Sequence, residues 1–331
     1  MQGHRAYVVT GTGQNPLLVV LTTGGTIASS LDSDGAARPN LGAAELLSLL
    51  PPMAVDLRAQ EVLAKDSASL TLADMQRISD AVGAALADPQ VTGVIALHGT
   101  DAMEETALLV QLQHGPQKPV IFTGAQFASD HPRSDGARNF TDAVRAALQP
   151  QADPGVALAF GGQVMPVWGL YKFSTDAPDA FRRVADEGAT ISHPLPAPVS
   201  DLRVDIIAAH PGSDGLLLEA SLAAGARGIV IAALGSGNAT PELVAAIARA
   251  RNEGAVVVVS SRVPEGLLSP IYGGGGGGHD MRRAGAIHAR VLRPGQARIL
   301  LAAMLANGCC ETEIANAFEG TPDTVPQSRP A

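Results

Sequence analysis

The chain is short of cysteine, aromatic rings, positive charge and long apolar runs, and each shortage removes a class of function. Its only two cysteines, Cys309 and Cys310, are neighbours. Adjacent cysteines close no useful loop, and no Cys-x-x-Cys pair offers metal-ligand spacing, so the chain reads as reduced and metal-free. Basic residues are outnumbered 23 to 32, which leaves a formal charge of −9, and aromatic residues make up only 3%. Nucleic acid and anionic membranes both reward basic surface, so neither is an expected partner. The longest apolar runs, such as residues 17–21 and 255–259, are strand-sized and far short of a membrane span. Residues 1–16 carry His4, Arg5, Gln14 and Asn15 with no apolar stretch before a small-residue cleavage site, so no secretory leader is expected. These absences predict a cytoplasmic chain. Lysine is scarce as well: Lys65, Lys118 and Lys172 are the only candidates for chemistry that needs an amine.

What is present is a long, apolar, regularly patterned chain. At roughly 150 residues per domain, 331 residues suggest two domains, and a chain of this size buries enough surface to fold without disulfides or a metal. Short branched apolar runs at Leu17–Leu21, Val91–Leu97, Val120–Phe122, Val156–Phe160, Val204–Ala208, Gly228–Ala232 and Ala255–Val259 read as buried strands. Between them, Ala43–Leu50, Leu72–Leu86, Glu104–Gln113, Ala137–Leu148, Leu216–Ala224 and Pro241–Arg251 have helical character. This alternation predicts the α/β class: a larger N-terminal domain with a doubly wound parallel sheet and a smaller C-terminal α/β domain. Thr71 or Asp74 is a candidate cap for one helix, and Thr240 before Pro241 for another. Pro194, Pro196 and Pro198 interrupt the pattern, which predicts domains at 1–185 and 204–331 joined by a linker at 186–203. The run Gly273–Gly278 reads as a mobile loop and residues 319–331 as a frayed tail.

Three stretches have the residue types that chemistry needs. Thr22-Thr23-Gly24-Gly25-Thr26-Ile27-Ala28 follows the first strong strand, and ligands of doubly wound sheets sit beyond the carboxyl ends of strands. Its glycines let backbone pass close to a ligand, and Thr26 is a nucleophile if a base is within reach. A phosphate-cradling turn or a plain strand exit fits the same spacing, although the full Gly-x-Gly-x-x-Gly fingerprint is missing. His98-Gly99-Thr100-Asp101-Ala102-Met103-Glu104-Glu105-Thr106 repeats the Gly-Thr pattern at another strand end. Helix capping and the helix dipole alone account for Asp101, Glu104 and Glu105 there, and His98 reads as a structural strand-end residue rather than a base. Lys172 lies in the aromatic and apolar stretch Trp168–Phe173. Desolvation there favours proton transfer from a threonine hydroxyl; a salt-bridged structural lysine is the alternative.

Taken together, Thr23–Ala28, His98–Thr106, Thr123–Gln126 with Ser134-Asp135-Gly136 and Asn139, and Ser261-Arg262-Val263-Pro264 resemble the bacterial-type L-asparaginase family (the asparaginase/glutaminase family) over roughly residues 17–310. The resemblance implies a threonine amidohydrolase that needs no cofactor and no metal and acts on a small amino-acid substrate. By motif position, Thr26 attacks the side-chain amide, and Thr100, Asp101 and Lys172 match the second threonine, the aspartate and the proton-passing lysine. Asp101 also holds the substrate α-ammonium. Ser67 matches a residue that binds the α-carboxylate, and Asp66, Gly25 and Gly99 are further substrate-binding positions, the glycines through their backbone. The family assembles as dimers or tetramers, with Asn238 matching a residue that a second copy contributes; a homodimer or homotetramer is therefore expected.

This sequence departs from the family pattern in three places. Residues 27–60 hold no tyrosine where the family usually has one that assists the nucleophile, the chain's three being Tyr7, Tyr171 and Tyr272. Ala68 replaces a glutamine found in some members, and the stretch around Leu267–Asp280 is glycine-rich instead of acidic. The choice between asparagine, glutamine and another small amide therefore stays open. So do an ammonia-supplying amidotransferase subunit, which an appended partner domain would have favoured, and a non-catalytic amino-acid sensor.

Overall fold

The computed structural model describes residues 6–9, 15–31, 37–39, 43–48, 50–149, 155–186, 188, 191 and 193–320. The expected tail beyond Gly320 and part of the segment after the first Gly-Thr turn lie outside the described residues. Two compact units emerge: Met1–Val167 with Lys172–Arg182, and Trp168–Tyr171 with Arg183–Ala331.

In the first unit, β1 (Ala6–Val9) and β2 (Leu17–Thr22) precede a 3-10 turn at Thr26–Ala28. An antiparallel pair, β3 (Ser29–Leu31) and β4 (Ala37–Pro39), leads to α1 (Ala43–Ser48) and β5 (Asp56–Glu61). Then come α2 (Leu72–Ala87), β6 (Val91–Leu97), α3 (Met103–His114), β7 (Val120–Thr123), α4 (Gly136–Leu148), β8 (Val156–Phe160) and β9 (Gln163–Pro166). Two short strands, β10 (Leu170–Lys172) and β11 (Phe181–Arg183), whose residues are divided between the two units, pair separately. The main sheet has the order β1-β5-β2-β6-β7-β8-β9. Its centre, β5 through β8, is parallel, and β1 and β9 join antiparallel at the edges. From β2 the chain goes to β5 on one side, then to β6, β7 and β8 on the other. The winding therefore reverses at β2, and the crevice of a doubly wound sheet falls beyond the carboxyl ends of β2 and β6.

Strand periodicity divides the core between the two faces. Leu18 and Val20, Ile95 and Leu97, Ile121, and Ala157 and Ala159 point to one face, where they meet Leu46 of α1 and Phe140, Ala143 and Val144 of α4. α2 and α3 pack together on the sheet as well. Thr71 caps α2 in a reciprocal box: its hydroxyl accepts from Asp74 N–H (3.2 Å) while an Asp74 oxygen accepts from Thr71 N–H (3.0 Å). β5 is not foreseen from apolar runs because it is amphipathic. Leu57 and Ala59 face the core, while Arg58 pairs with Asp88 at 2.7 Å.

In the second unit, β12 (Val204–Ala208), α5 (Leu216–Ala223), β13 (Gly228–Ala233), α6 (Pro241–Asn252), β14 (Val256–Ser261), α7 (Gly278–Arg283) and β15 (Ile287–His288) alternate, followed by α8 (Pro294–Ala306) and α9 (Glu311–Glu319). The sheet is parallel in chain order, β12-β13-β14-β15. Ile229, Ile231, Val257 and Val259 pack on Leu243 and Ile247 of α6 and Met281 of α7. α8 approaches β13 closely because Gly228 has no side chain; a Cβ there would stand 2.7 Å from Leu301 Cδ2. Thr240 caps α6 with Pro241 behind it, as expected. Within the linker stretch, Leu195 and Val199 are buried.

The glycine run, expected as a mobile loop, makes several backbone hydrogen bonds. An Asp280 oxygen accepts from Gly275 N–H (2.7 Å) and Gly277 N–H (3.0 Å), and Ala239 N–H donates to Gly276 O (2.7 Å). A Cβ on Gly277 would fall 1.9 Å from Tyr272 O, so close backbone approach accounts for glycine there. Among the described residues no helix is long and apolar enough to cross a membrane.

Candidate active site

The two Gly-Thr turns leave adjacent strands at the reversal point. β2 and β6 pair in parallel with Thr22 opposite Leu97, and the strand ends are fastened to each other. Thr23 donates to Leu97 O from both its N–H (3.1 Å) and its hydroxyl (3.0 Å), Lys65 N–H donates to Thr23 O (3.1 Å), and His98 N–H donates to Thr123 O (2.9 Å). Beyond this lattice the turns touch. Gly25 has φ 83°, and a Cβ on it would stand 2.4 Å from Gly99 Cα. A Cβ on Gly99 would stand 2.5 Å from Ser67 Oγ, and one on Gly24 would stand 2.4 Å from Lys65 O. Three segments, following β2, β5 and β6, thus meet at a point only glycine allows. Thr26 opens the 3-10 turn behind Gly25 and is half-buried.

The second turn has the polar centre. Lys172, at the end of β10, donates from Nζ to Thr100 Oγ1 and to Asp101 Oδ1, each at 2.8 Å. Thr100 is buried; the Asp101 side chain is 54% exposed and the Lys172 side chain 18%, so the carboxylate is open to a ligand and the ammonium is largely covered. Asp101 N–H donates to Ser67 Oγ at 3.1 Å. That bond uses an acceptor position of the hydroxyl and leaves its proton available. Asp66 caps the 3-10 turn at Ser67–Ser69, its Oδ1 accepting from Ala68 N–H at 3.5 Å.

Glu104 has a closer relation to the lysine than its place in the first turn of α3 suggests. Burial, with Glu105 adding to it, pushes its carboxyl up to about 8, and hydrogen bonds from its own and the Lys172 backbone N–H groups and the Lys172 charge offset only part. His98, at the end of β6, is fully buried, and burial holds its imidazole down at about 4. It is a neutral, enclosed ring, in keeping with a strand-end residue rather than a base.

The remaining motif residues brace this centre. Asp135 Oδ1 accepts from Gln126 and Phe127 N–H, both at 3.0 Å, and Asn139 Nδ2 donates to Gly124 O at 3.1 Å, which holds the loop after β7. Gly124 in turn lies against the strand end, since a Cβ on it would stand 2.3 Å from His98 O. In the second unit, Ser261 Oγ donates to Gly235 O at 2.6 Å and accepts from Val263 N–H at 3.0 Å. Asn238 closes a tight turn after β13, its N–H donating to Leu234 O at 2.7 Å and its Oδ1 accepting from Gly278 N–H at 3.4 Å. Thr100, Asp101, Lys172, Ser67, Gly25 and Gly99 are thus connected by contact within the first unit, with Thr26 beside Gly25, while Asn238 belongs to the second. Among the described residues, no group of three or more His, Cys, Asp or Glu side chains is placed to hold a metal.

Known proteins share this architecture along nearly the whole chain. The family model for the asparaginase N-terminal domain matches residues 17–192, and the model for the glutaminase/asparaginase C-terminal domain matches residues 203–318. A probable L-asparaginase of Deinococcus radiodurans is 33% identical, over 92% of this chain and 97% of that protein. A subunit of the glutamyl-tRNA(Gln) amidotransferase of Aeropyrum pernix is 30% identical, over 82% of this chain and 70% of that protein. The crystal structure of a probable cytoplasmic L-asparaginase from Campylobacter jejuni superposes with a TM-score of 0.78 at 25% identity, covering 92% of this chain and 99% of that one. With both halves of its length matched by family models, the chain belongs to the asparaginase family of amidohydrolases.

Proposed function

We propose that the chain hydrolyses L-asparagine to L-aspartate and ammonia through an acyl-threonine intermediate. The observation that carries this reading is the pair of 2.8 Å contacts from Lys172 to Thr100 and Asp101, at the strand ends where the two Gly-Thr turns touch. Thr26 Oγ attacks the side-chain amide carbon and gives up its proton, and the carbonyl oxygen becomes an oxyanion held by backbone N–H groups. Collapse breaks the C–N bond, the amide nitrogen takes the proton that Thr26 gave up, and ammonia leaves. Water then adds to the Thr26 ester, with Thr100 and Lys172 passing the proton, and aspartate and free Thr26 result. Recognition of a zwitterion needs one group for each charge. Asp101 Oδ1 is engaged by Lys172, which leaves Oδ2 for the α-ammonium, and the Ser67 hydroxyl proton serves the α-carboxylate. Asp66 supports Ser67 by capping its turn, and Gly25 and Gly99 supply backbone close to the ligand.

The reading extends to the surroundings of the site. Residues 1–185 form the catalytic domain, joined through 186–203 to a C-terminal domain at 204–331. The protein works in the cytoplasm as a homodimer or homotetramer, with Asn238 contributed by a second copy. Ammonia release measured on L-asparagine, L-glutamine and other small amides, with Thr26→Ala as control, tests the proposal. Asparagine is the preferred substrate and Thr26→Ala abolishes turnover while sparing much of the binding. Equal or faster turnover of glutamine sinks the asparagine preference, and undiminished activity of Thr26→Ala sinks the nucleophile. The glutamine arm also addresses the likeness to the amidotransferase subunit.

A further inference from the structure

His98 takes no part in the reaction just described, yet it grips the peptide that carries Thr100. Its ring lies against Phe122, with centroids 5.9 Å apart, and its Nδ1 is 2.7 Å from Gly99 O. A carbonyl oxygen only accepts, so Nδ1 bears the proton and Nε2 the lone pair. Among the described residues Nε2 has no hydrogen-bond partner, so the ring's one bond is the bond to Gly99. Burial keeps the imidazole neutral at any pH well above about 4, which preserves this tautomer through the working range.

The consequence follows from the geometry of the peptide unit. No cis peptide bond occurs among the described residues, and in a planar trans unit the C=O and N–H point in opposite directions. Holding Gly99 O to the imidazole therefore turns Thr100 N–H away from it. Among the described residues no oxygen accepts from that N–H, although Thr100 is only 6% exposed. A buried, unpaired N–H is costly unless a ligand takes it. The next amide along the chain, Asp101 N–H, is already committed to Ser67 Oγ. Glycine on one side of the Gly99–Thr100 peptide also lowers the barrier to flipping its plane, so an external hold has a purpose.

We infer that His98 is a positioning residue that fixes the Gly99–Thr100 peptide plane and so presents Thr100 N–H to the carbonyl oxygen of the bound amide as an oxyanion donor. The inference rests on the amidohydrolase reading above. An N–H aimed at an oxyanion acts most strongly when charge develops, so its loss lowers kcat with little effect on KM. Loss of a whole oxyanion donor typically slows kcat by about 100- to 1000-fold; a donor left in place but released is expected to cost about 10- to 100-fold.

The test compares His98→Asn, His98→Gln and His98→Leu with wild type by steady-state ammonia release and by calorimetric binding of L-aspartate. Asn places an N–H where Nδ1 stands, Gln places it where Nε2 stands, and Leu places none. The expected result is kcat within about threefold of wild type for Asn, and a drop of about 10- to 100-fold for Gln and Leu, with KM and aspartate affinity within about threefold throughout. Aspartate binding also reports that each variant is folded at the site. Unchanged kcat in His98→Leu overturns the inference. So does an equal fall in all three variants, which marks a packing role, and so does a loss confined to KM. A wild-type protein inert on every small amide overturns the functional reading and this inference with it, whereas an active wild type with an unaffected His98→Leu overturns this inference alone.

Discussion

Gly25→Ala probes the contact between the two Gly-Thr turns. Gly25 has φ 83° and ψ −179°, a region essentially restricted to glycine, so any side chain there costs about 1–3 kcal/mol in backbone strain. A second penalty is steric. The new Cβ would stand 2.4 Å from Gly99 Cα and 2.5 Å from Gly99 N, where ordinary contact begins at 3.4 Å. Both opposing atoms are backbone, and the strand ends behind them are tied by the Thr23, Leu97, His98 and Thr123 hydrogen bonds, so no side chain can swing aside. Relief requires the turns to part by about 1 Å, a misplacement that can cost on the order of 100-fold in rate.

The expected outcome is a destabilisation of about 2–4 kcal/mol with kcat/KM down by about 100-fold. Urea unfolding followed by circular dichroism and ammonia-release kinetics measure the two effects. Gly254→Ala is the control, because Gly254 has φ +87° and a methyl placed on it would meet nothing within 4 Å. It carries strain without the clash, so it should lose about 1–2 kcal/mol and keep full activity. If Gly25→Ala is no less stable than Gly254→Ala and retains kcat/KM within about twofold, the close approach has no consequence and the reasoning fails.

Two further substitutions separate structural from chemical roles. Lys172→Met removes an ion pair whose carboxylate is 54% exposed, so stability should change by no more than about 1 kcal/mol, while kcat falls by about 100- to 10,000-fold. A large loss of stability with an unaltered pH–rate profile would restore the salt-bridged structural lysine. Glu104→Gln tests the buried carboxyl. A native value near 8 against an ordinary 4.5 means that the folded state holds the extra proton between those limits, so this group lowers stability progressively as pH rises from about 4.5 through 8. The neutral amide removes that slope, and the variant should gain on wild type by up to a few kcal/mol at pH 8 and above. Parallel curves of urea midpoint against pH for the two proteins would contradict the assignment.

What is legible in the sequence is local, and what is not is set by distant neighbours. The strands β2 and β6 announce themselves as apolar runs ending in Gly-Thr, so Thr26 and Thr100 can be placed at strand ends without knowledge of the fold. That these two ends lie side by side depends on where β5 inserts, and β5 is amphipathic, with Leu57 and Ala59 alternating with Arg58, so no apolar run marks it. Lys172 stands out through the scarcity of lysine and its apolar setting, but its partners lie 71 and 72 positions away and leave no local trace. Glu104 shows the sharper limit. A carboxylate in the first turn of a helix is adequately explained by the dipole as long as it is exposed, and only the enclosure around it, with Glu105 adding to it and the Lys172 charge offsetting part, turns it into a group held largely protonated. For the glycines, sequence supplies a plausible but incomplete reason. It points to backbone brought near a ligand, whereas at Gly24, Gly25 and Gly99 the nearest neighbours are Lys65, Gly99 and Ser67 of the protein itself. Glycine is needed there first to let three turns meet, and the position of Thr26 relative to Thr100 follows from that meeting. A Gly-Thr pair at one strand end has many uses; here two such pairs on adjacent strands are pressed together through their glycines, and Lys172 donates to the Thr100 hydroxyl of one of them, which sets this arrangement apart from a common turn sequence.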